Sequence, residues 1–435
     1  MYKGIAFVPL CVLFYGFSYW NTNVFVEGLK GVGGTEQEWG HVTVRPHAHM
    51  FWWLYYTTAN VSHFTERPLI IWLQGGPGMP SSGYGNFIEI GPLNMNLTER
   101  EHTWVKNFNL LFIDNPVGVG FSYFSDSSAR MVQNNKEIGE DLVSFMKTFL
   151  SNYKEFQKIP LYIFGESYGG KMAVEFAYQL VEEINKGTIF ANIKGVGLGD
   201  AYISPIHYIL NYASFALNLG LVDKKGYEEI EELTKQVKIA INKEDFDTAS
   251  DIEAKITDTV VRTTQGIDVY NIVLKSNLSA LPRFLSYQDS CNLLMNTKIK
   301  ESLNISKDIE WNFINDDIYC ALQGDLMRPV TPAIETILNE TDIKIIVYNG
   351  VFDFLVNTAG TVMWLDNLKW KGSSEWHEKA KQPLEINMVN EGYVKEVGNL
   401  VFYTVLRAGH SVPVDNVVAM EEILKRELLD AKYVL

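Results

Sequence analysis

The chain of 435 residues is poor in cysteine, with three, and short of positive charge, with 37 Lys and Arg against 52 Asp and Glu. The formal net charge of -15 argues against a nucleic-acid partner, because phosphate binding needs clustered Lys and Arg. Cys11 falls in an apolar leader, which leaves Cys291 and Cys320 as one candidate disulfide in the second half of the chain. No stretch after the leader is apolar for long enough to cross a membrane. Two chemical signatures are incomplete. Gly118-Val119-Gly120 lacks the third glycine of a dinucleotide fingerprint, and His377-Glu378 lacks the second histidine of a zinc protease motif. Neither cofactor nor metal is therefore expected. Internal repeats and low-complexity segments are also missing.

What is present begins with Lys3 and the apolar run Ile5 to Tyr15, followed by Gly16-Phe17-Ser18. The run is too short for a comfortable membrane span, so residues 1–18 read as a cleaved signal peptide. Five Asn-x-Ser/Thr sites, at Asn60, Asn96, Asn277, Asn304 and Asn339, agree with glycosylation in the secretory pathway. A secreted or lysosomal destination is expected. Nearly half of the residues are hydrophobic, enough for a sizeable core.

The pattern along the chain alternates. Trp39 to Val44 and Phe51 to Thr57 read as antiparallel strands with a turn near Pro46. Pro68 to Leu73, Asn109 to Asp114, Leu161 to Phe164, Gly195 to Asp200, Ile343 to Tyr348 and Leu400 to Val405 read as buried strands. Helical periodicity covers Asn134 to Tyr153, the stretch after Lys171, and Val417 to Leu429. Such alternation predicts a mostly parallel central sheet with helices on both faces. Between Ser204 and Asp325 the texture changes to charged amphipathic helices and irregular segments. Residues 204–325 therefore read as a largely helical cap insertion, within a catalytic domain formed by 19–203 and 326–435.

Gly165-Glu166-Ser167-Tyr168-Gly169 stands between a predicted strand and a predicted helix. A serine hydroxyl can be presented at so sharp a turn only if its flanks carry almost no side chain, and the helix N-terminus then favours the anion formed on attack. Asp353 and His410 likewise follow predicted strands. Ser167, Asp353 and His410 are thus the candidate nucleophile, orienting acid and general base, in the chain order of α/β hydrolases. Gly75-Gly76 offers backbone N–H groups free of obstruction, and Gly76 with Tyr168 forms the candidate oxyanion hole.

Four motifs then carry a resemblance. Trp72-Leu73-Gln74-Gly75-Gly76-Pro77-Gly78, the run from Asp114 to Tyr123, Gly165 to Gly170, and Gly409-His410-Ser411-Val412-Pro413 together resemble the serine carboxypeptidases. Gln74, in place of the usual Asn, with Gly85-Asn86-Phe87 is most similar to the retinoid-inducible branch of that family. The resemblance implies the α/β-hydrolase fold and release of C-terminal residues from peptides or proteins. It also implies that the substrate's free carboxylate is held by Gln74, Gly75, Glu89 and Glu166, with Trp72 packed beside them. Two carboxyl groups in contact share a proton, and the protonated form donates to a carboxylate. Acidic pH should therefore favour binding. Two departures stand out. Met79-Pro80 replaces the usual Cys-Ser or Gly-Ser, and Ser411 replaces a methionine.

An acyltransferase using the same three residues, and a non-catalytic scaffold glycoprotein, are the alternative readings. The oligomeric state is left open, a homodimer included.

Overall fold

The computed structural model describes residues 31–274 and 282–429. The expected leader and the Asn277 sequon lie outside the described residues. Eleven strands form one sheet: β1 Gln37–Arg45, β2 Ala48–Tyr55, β3 Leu69–Leu73, β4 Asn109–Ile113, β5 Tyr123–Phe124, β6 Pro160–Glu166, β7 Asn192–Gly199, β8 Lys344–Gly350, β9 Gln382–Ile386, β10 Val389–Val397 and β11 Leu400–Val405. Their order across the sheet is β1-β2-β4-β3-β6-β7-β8-β11-β10-β9, with β5 paired to β2. From β4 to β11 all neighbours are parallel. Antiparallel pairs form both flanks.

Two-residue periodicity splits the central strands between two cores. Leu69, Ile71, Leu73, Leu161 and Ile163 join one cluster, which includes the buried faces of α1 (Asn135–Asn152) and α2 (Tyr168–Asn185). Ile70, Trp72, Leu110, Phe112 and Phe164 join the other, beneath the helix Val417–Leu428. β3 and β4 are wholly buried because both faces are covered. The fold is that of the α/β hydrolases, as the strand pattern predicts.

The stretch between β7 and β8 does not stay on one side. α3 (Pro205–Asn218), α4 (Lys224–Asn242) and α5 (Phe246–Thr263) contribute to the first cluster. Leu294, Met295, Trp311 and Phe313 belong to the second. Asp223 and Asp245 cap α4 and α5 by accepting from Gly226 N and Thr248 N.

This division explains why the expected disulfide is not formed. Cys291 is buried with the second cluster, whereas Cys320 is exposed on the helix Asp316–Leu326, whose Ile318 and Leu322 pack in the first. Both are free thiols. Two further elements escape the sequence reading. Ser81–Ile90 forms a wide helical turn with all ten residues buried, its exit marked by Gly91 N donating to Asn86 O. β9 and β10 make an exposed hairpin turning at Asn387 and Met388, both with positive φ.

One buried ion pair ties α2 to the helix Asp316–Leu326. Lys171 Nζ donates to the carbonyls of Asp325 and Leu326 at 2.7 and 3.2 Å and faces Asp325 Oδ2 at 3.5 Å. Burial lowers the lysine pKa to about 8, against the pull of Asp325. Tyr168 Oη donates to the same carboxylate at 2.8 Å. Asp325→Ala leaves an ammonium group buried without its counter-charge, so stability should fall by about 3–5 kcal/mol. Urea unfolding followed by tryptophan fluorescence measures that loss, and Asp325→Asn should lose less because it keeps an acceptor for Tyr168.

Candidate active site

Ser167 sits between β6 and α2 with φ 60° and ψ -127°. That backbone is costly for a residue with a side chain and persists only where the surroundings over-determine it. They do so here through hydrogen bonds from Ser167 N to Gly199 O (3.0 Å) and from Tyr202 N to Ser167 O (2.9 Å). The turn is also too tight for flanking side chains. A Cβ on Gly165 would lie 2.1 Å from Gly169 O, and one on Gly169 would lie 2.1 Å from Leu73 O. These contacts give the Gly-x-Ser-x-Gly spacing its physical meaning.

His410 follows β11 and Asp353 follows β8. The imidazole Nδ1 meets Asp353 Oδ2 at 2.6 Å, and both residues are buried. Asp353 Oδ1 accepts from Val356 N at 3.1 Å. His410 N donates to Tyr270 O at 2.8 Å, and the Tyr270 ring stands edge-on to the imidazole at 4.9 Å. Tyr270 comes from the irregular stretch after α5, and the sequence reading passes over it. Ser167 and His410 line one cavity together with Gln74, Gly75, Gly76 and Glu166.

At the end of β3 the backbone passes close under the serine, for a Cβ on Gly75 would lie 2.7 Å from Ser167 Cβ. Gly76 follows with φ 115°. Tyr168 is the first residue of α2, so its N–H is one of the amides that a helix leaves without an intrahelical acceptor.

The polar residues of the β3 loop form a buried chain. Trp72 Nε1 donates to Gln74 Oε1 at 2.8 Å, and Gln74 Nε2 donates to Glu166 Oε1 at 3.2 Å. Ser411 Oγ donates to the same oxygen at 3.3 Å. The serine that departs from the family pattern is therefore part of this cluster. Glu89, carried by the wide turn Ser81–Ile90, brings its carboxyl group against that of Glu166. Neither Glu89 oxygen, nor Glu166 Oε2, receives a well-placed protein hydrogen bond. Both carboxyls are raised above their ordinary range, by burial first, with repulsion from Glu89 adding to the rise at Glu166. The arrangement has a proton to offer an anion.

A further acid, Asp200 at the end of β7, lies beside Asp353 and was given no role by the sequence reading. The same signal that marks Asp353, an aspartate just past a buried strand, was available for it. Asp200, Asp353 and His410 present one ligand-type atom each within 4.8 Å of one another. The short Nδ1–Oδ2 contact marks them as a hydrogen-bonded chain, and no metal is assigned to them.

The four described sequon asparagines, Asn60, Asn96, Asn304 and Asn339, are exposed.

Comparison with known proteins places this geometry in a lineage. The serine carboxypeptidase family matches residues 28–430. The retinoid-inducible serine carboxypeptidase of Rattus norvegicus is 38% identical over 402 residues, covering 87% of this chain and 88% of the relative. That of Homo sapiens is 38% identical over 404 residues with the same coverage. Serine carboxypeptidase-like 51 of Arabidopsis thaliana is 31% identical over 411 residues, covering 87% of this chain and 89% of the relative. Among solved structures, the prohormone-processing carboxypeptidase Kex1 of Saccharomyces cerevisiae has a TM-score of 0.78 at 23% identity, over 92% of this chain and 94% of that one. The protein belongs to the serine carboxypeptidase family.

Proposed function

We propose that the protein releases single residues from peptide C-termini through an acyl-enzyme on Ser167, with His410 as general base and acid and Asp353 as its orienting carboxylate. The observation that carries this reading is a buried pair of carboxyls, Glu89 and Glu166, of which Glu166 lines the same cavity as the strained serine. Cleavage of the last peptide bond needs both, a nucleophile at the carbonyl and a partner for the terminal carboxylate.

Ser167 Oγ attacks the carbonyl of the last peptide bond and passes its proton to His410 Nε2. Nδ1–H stays on Asp353 Oδ2, which holds the tautomer and offsets the imidazolium charge. The tetrahedral oxyanion is received by the N–H groups of Gly76 and Tyr168, at the positive end of α2. His410 then protonates the leaving amine. The departing residue is held by its carboxylate at Gln74, Gly75, Glu89 and Glu166, with Trp72 fixing the glutamine. Water, deprotonated by His410, hydrolyses the ester and restores Ser167.

Delivery to the secretory pathway, for secretion or to the lysosome, is supported by the exposed sequons. Among the described residues no helix is long and apolar enough to cross a membrane.

Ser167→Ala should lower peptide release by about 10⁶-fold, to background, with little change in fold. Release of C-terminal residues from a peptide library near pH 5, read by mass spectrometry, checks this. Retained release would overturn the mechanism.

The carboxyl cluster sets the sign of a second expectation. Raised pKa values keep the Glu89–Glu166 pair protonated in acid, while a peptide C-terminus is ionised there. As pH rises from about 4.5 to 7.5 Glu89, raised by burial to about 7, gives up its proton near the top of that range and the cluster repels the substrate, so KM should increase. Glu89→Gln keeps a donor that cannot ionise to a negative charge, and should flatten the rise. Steady-state KM across that range for both proteins is the measurement, and a flat wild-type profile would count against the assignment.

A further inference from the structure

Asp200 is 1% exposed and takes a positive φ of 38° just beyond β7. Its Oδ1 is well served, accepting from Asn349 Nδ2 and, at 2.9 Å, from Gly350 N. Its Oδ2 is different. It is buried, with no protein N–H or O–H donor within reach. Its nearby acid is Asp353, one of whose carboxylate oxygens lies within 4.8 Å of an oxygen of Asp200. Asp353 in turn has one oxygen on His410 Nδ1 and the other on Val356 N. Asp353 thus has the donors that a carboxylate needs, whereas Asp200 has a spare oxygen and only an acceptor to meet.

Two carboxyl groups in contact, away from water, do not both ionise. The hydrogen bonds decide which keeps the proton. An ionised Asp353 is held by the imidazole and an amide, while an ionised Oδ2 of Asp200 would face a second negative charge. We propose that Asp200 is a positioning residue that holds a proton on Oδ2 and donates it to Asp353, extending the line Ser167–His410–Asp353 by one member. This inference rests on the reading of Ser167, His410 and Asp353 as the reacting groups. The donated hydrogen bond fixes the plane of the Asp353 carboxylate and draws off part of its charge.

The surroundings agree. The titratable groups around Asp200 are Asp353 and His410, each with an atom within 4.8 Å of one of its oxygens, Tyr348 on β8 and Glu166 at the end of β6. The one imidazole among them already has its Nδ1 on Asp353 Oδ2. Burial and the Asp353 charge both push its carboxyl well above the ordinary range.

The test compares Asp200→Ala and Asp200→Asn by their rate of labelling with a fluorophosphonate ester. The ester reads the nucleophile without any peptide substrate. The amide of asparagine donates where the O–H did, and its oxygen still accepts from Asn349 and Gly350. Asp200→Ala should slow labelling by about 10- to 100-fold. Asp200→Asn should stay within about threefold of wild type. Equal losses in the two variants, or a normal rate in Asp200→Ala, would overturn the proposal. An infrared difference spectrum of wild type minus Asp200→Asn at about pH 7, where ordinary carboxyls are ionised, gives an independent readout that survives misfolding of the alanine variant. A protonated-carboxyl C=O band in that difference supports the proposal, and its absence overturns it. A wild type that the ester does not label refutes the reading of Ser167 and His410 instead, and the infrared band still decides the protonation of Asp200.

Discussion

Negative charge in a place that water barely reaches is the constraint on which the rest of the site depends. Glu89, Glu166, Asp200 and Asp353 are each 2% exposed or less, around a single imidazole. Bare carboxylates so placed would repel one another and forfeit their hydration. The fold answers with donors brought from separate strands and loops: Gln74 Nε2, Ser411 Oγ, Asn349 Nδ2, and the N–H groups of Gly350 and Val356. Where donors run out, burial favours the neutral, protonated form of a carboxyl, as at Glu89, Glu166 and Asp200.

Those donors arrive together because of strand register. Glu166 pairs with Gly199 and Gly199 with Tyr348 across three parallel strands. The next residues along each strand, Ser167, Asp200 and Asn349, therefore fall side by side along one edge of the sheet. A parallel sheet buried on both faces holds that alignment rigidly. The sharp turn at Ser167 can then be maintained by packing and hydrogen bonds from β7 and the turn beyond it.

Much of this was legible in the residues. The central strands show as unbroken apolar runs, and Ser167, Asp353 and His410 as chemically capable residues just past their ends. Asp200 obeys the same rule, yet it belongs to no short motif and carries no sign that its neighbour in space is another acid. Tyr270 offers even less, because its contact with His410 depends on how an irregular segment returns to the sheet. The wide turn Ser81–Ile90 reads as a loop, since Gly83 and Gly85 are poor helix formers and its stability comes from tertiary contacts such as Ser82 with Asp114. The β9–β10 hairpin lies at the sheet edge with Leu384 and Val397 buried, but its apolar residues are spread thinly among Gln382, Glu385, Asn390, Lys395 and Glu396. Pairing of Cys291 with Cys320 was suggested by number alone, and the separation of the two cores ruled it out.

The buried turn that carries Glu89 has a consequence for how this enzyme can diversify. None of its ten residues is exposed, so a substitution there must be absorbed by the core. Phe284 and Tyr287, partly exposed residues between β7 and β8, line the same cavity, with the Tyr287 ring edge-on to Tyr84 of the turn. The fully buried part of the lining is bound to the interior and resists change, while the partly exposed part can vary at smaller cost to folding. The cavity can therefore change shape across homologues more readily at Phe284 and Tyr287 than at the turn beneath them.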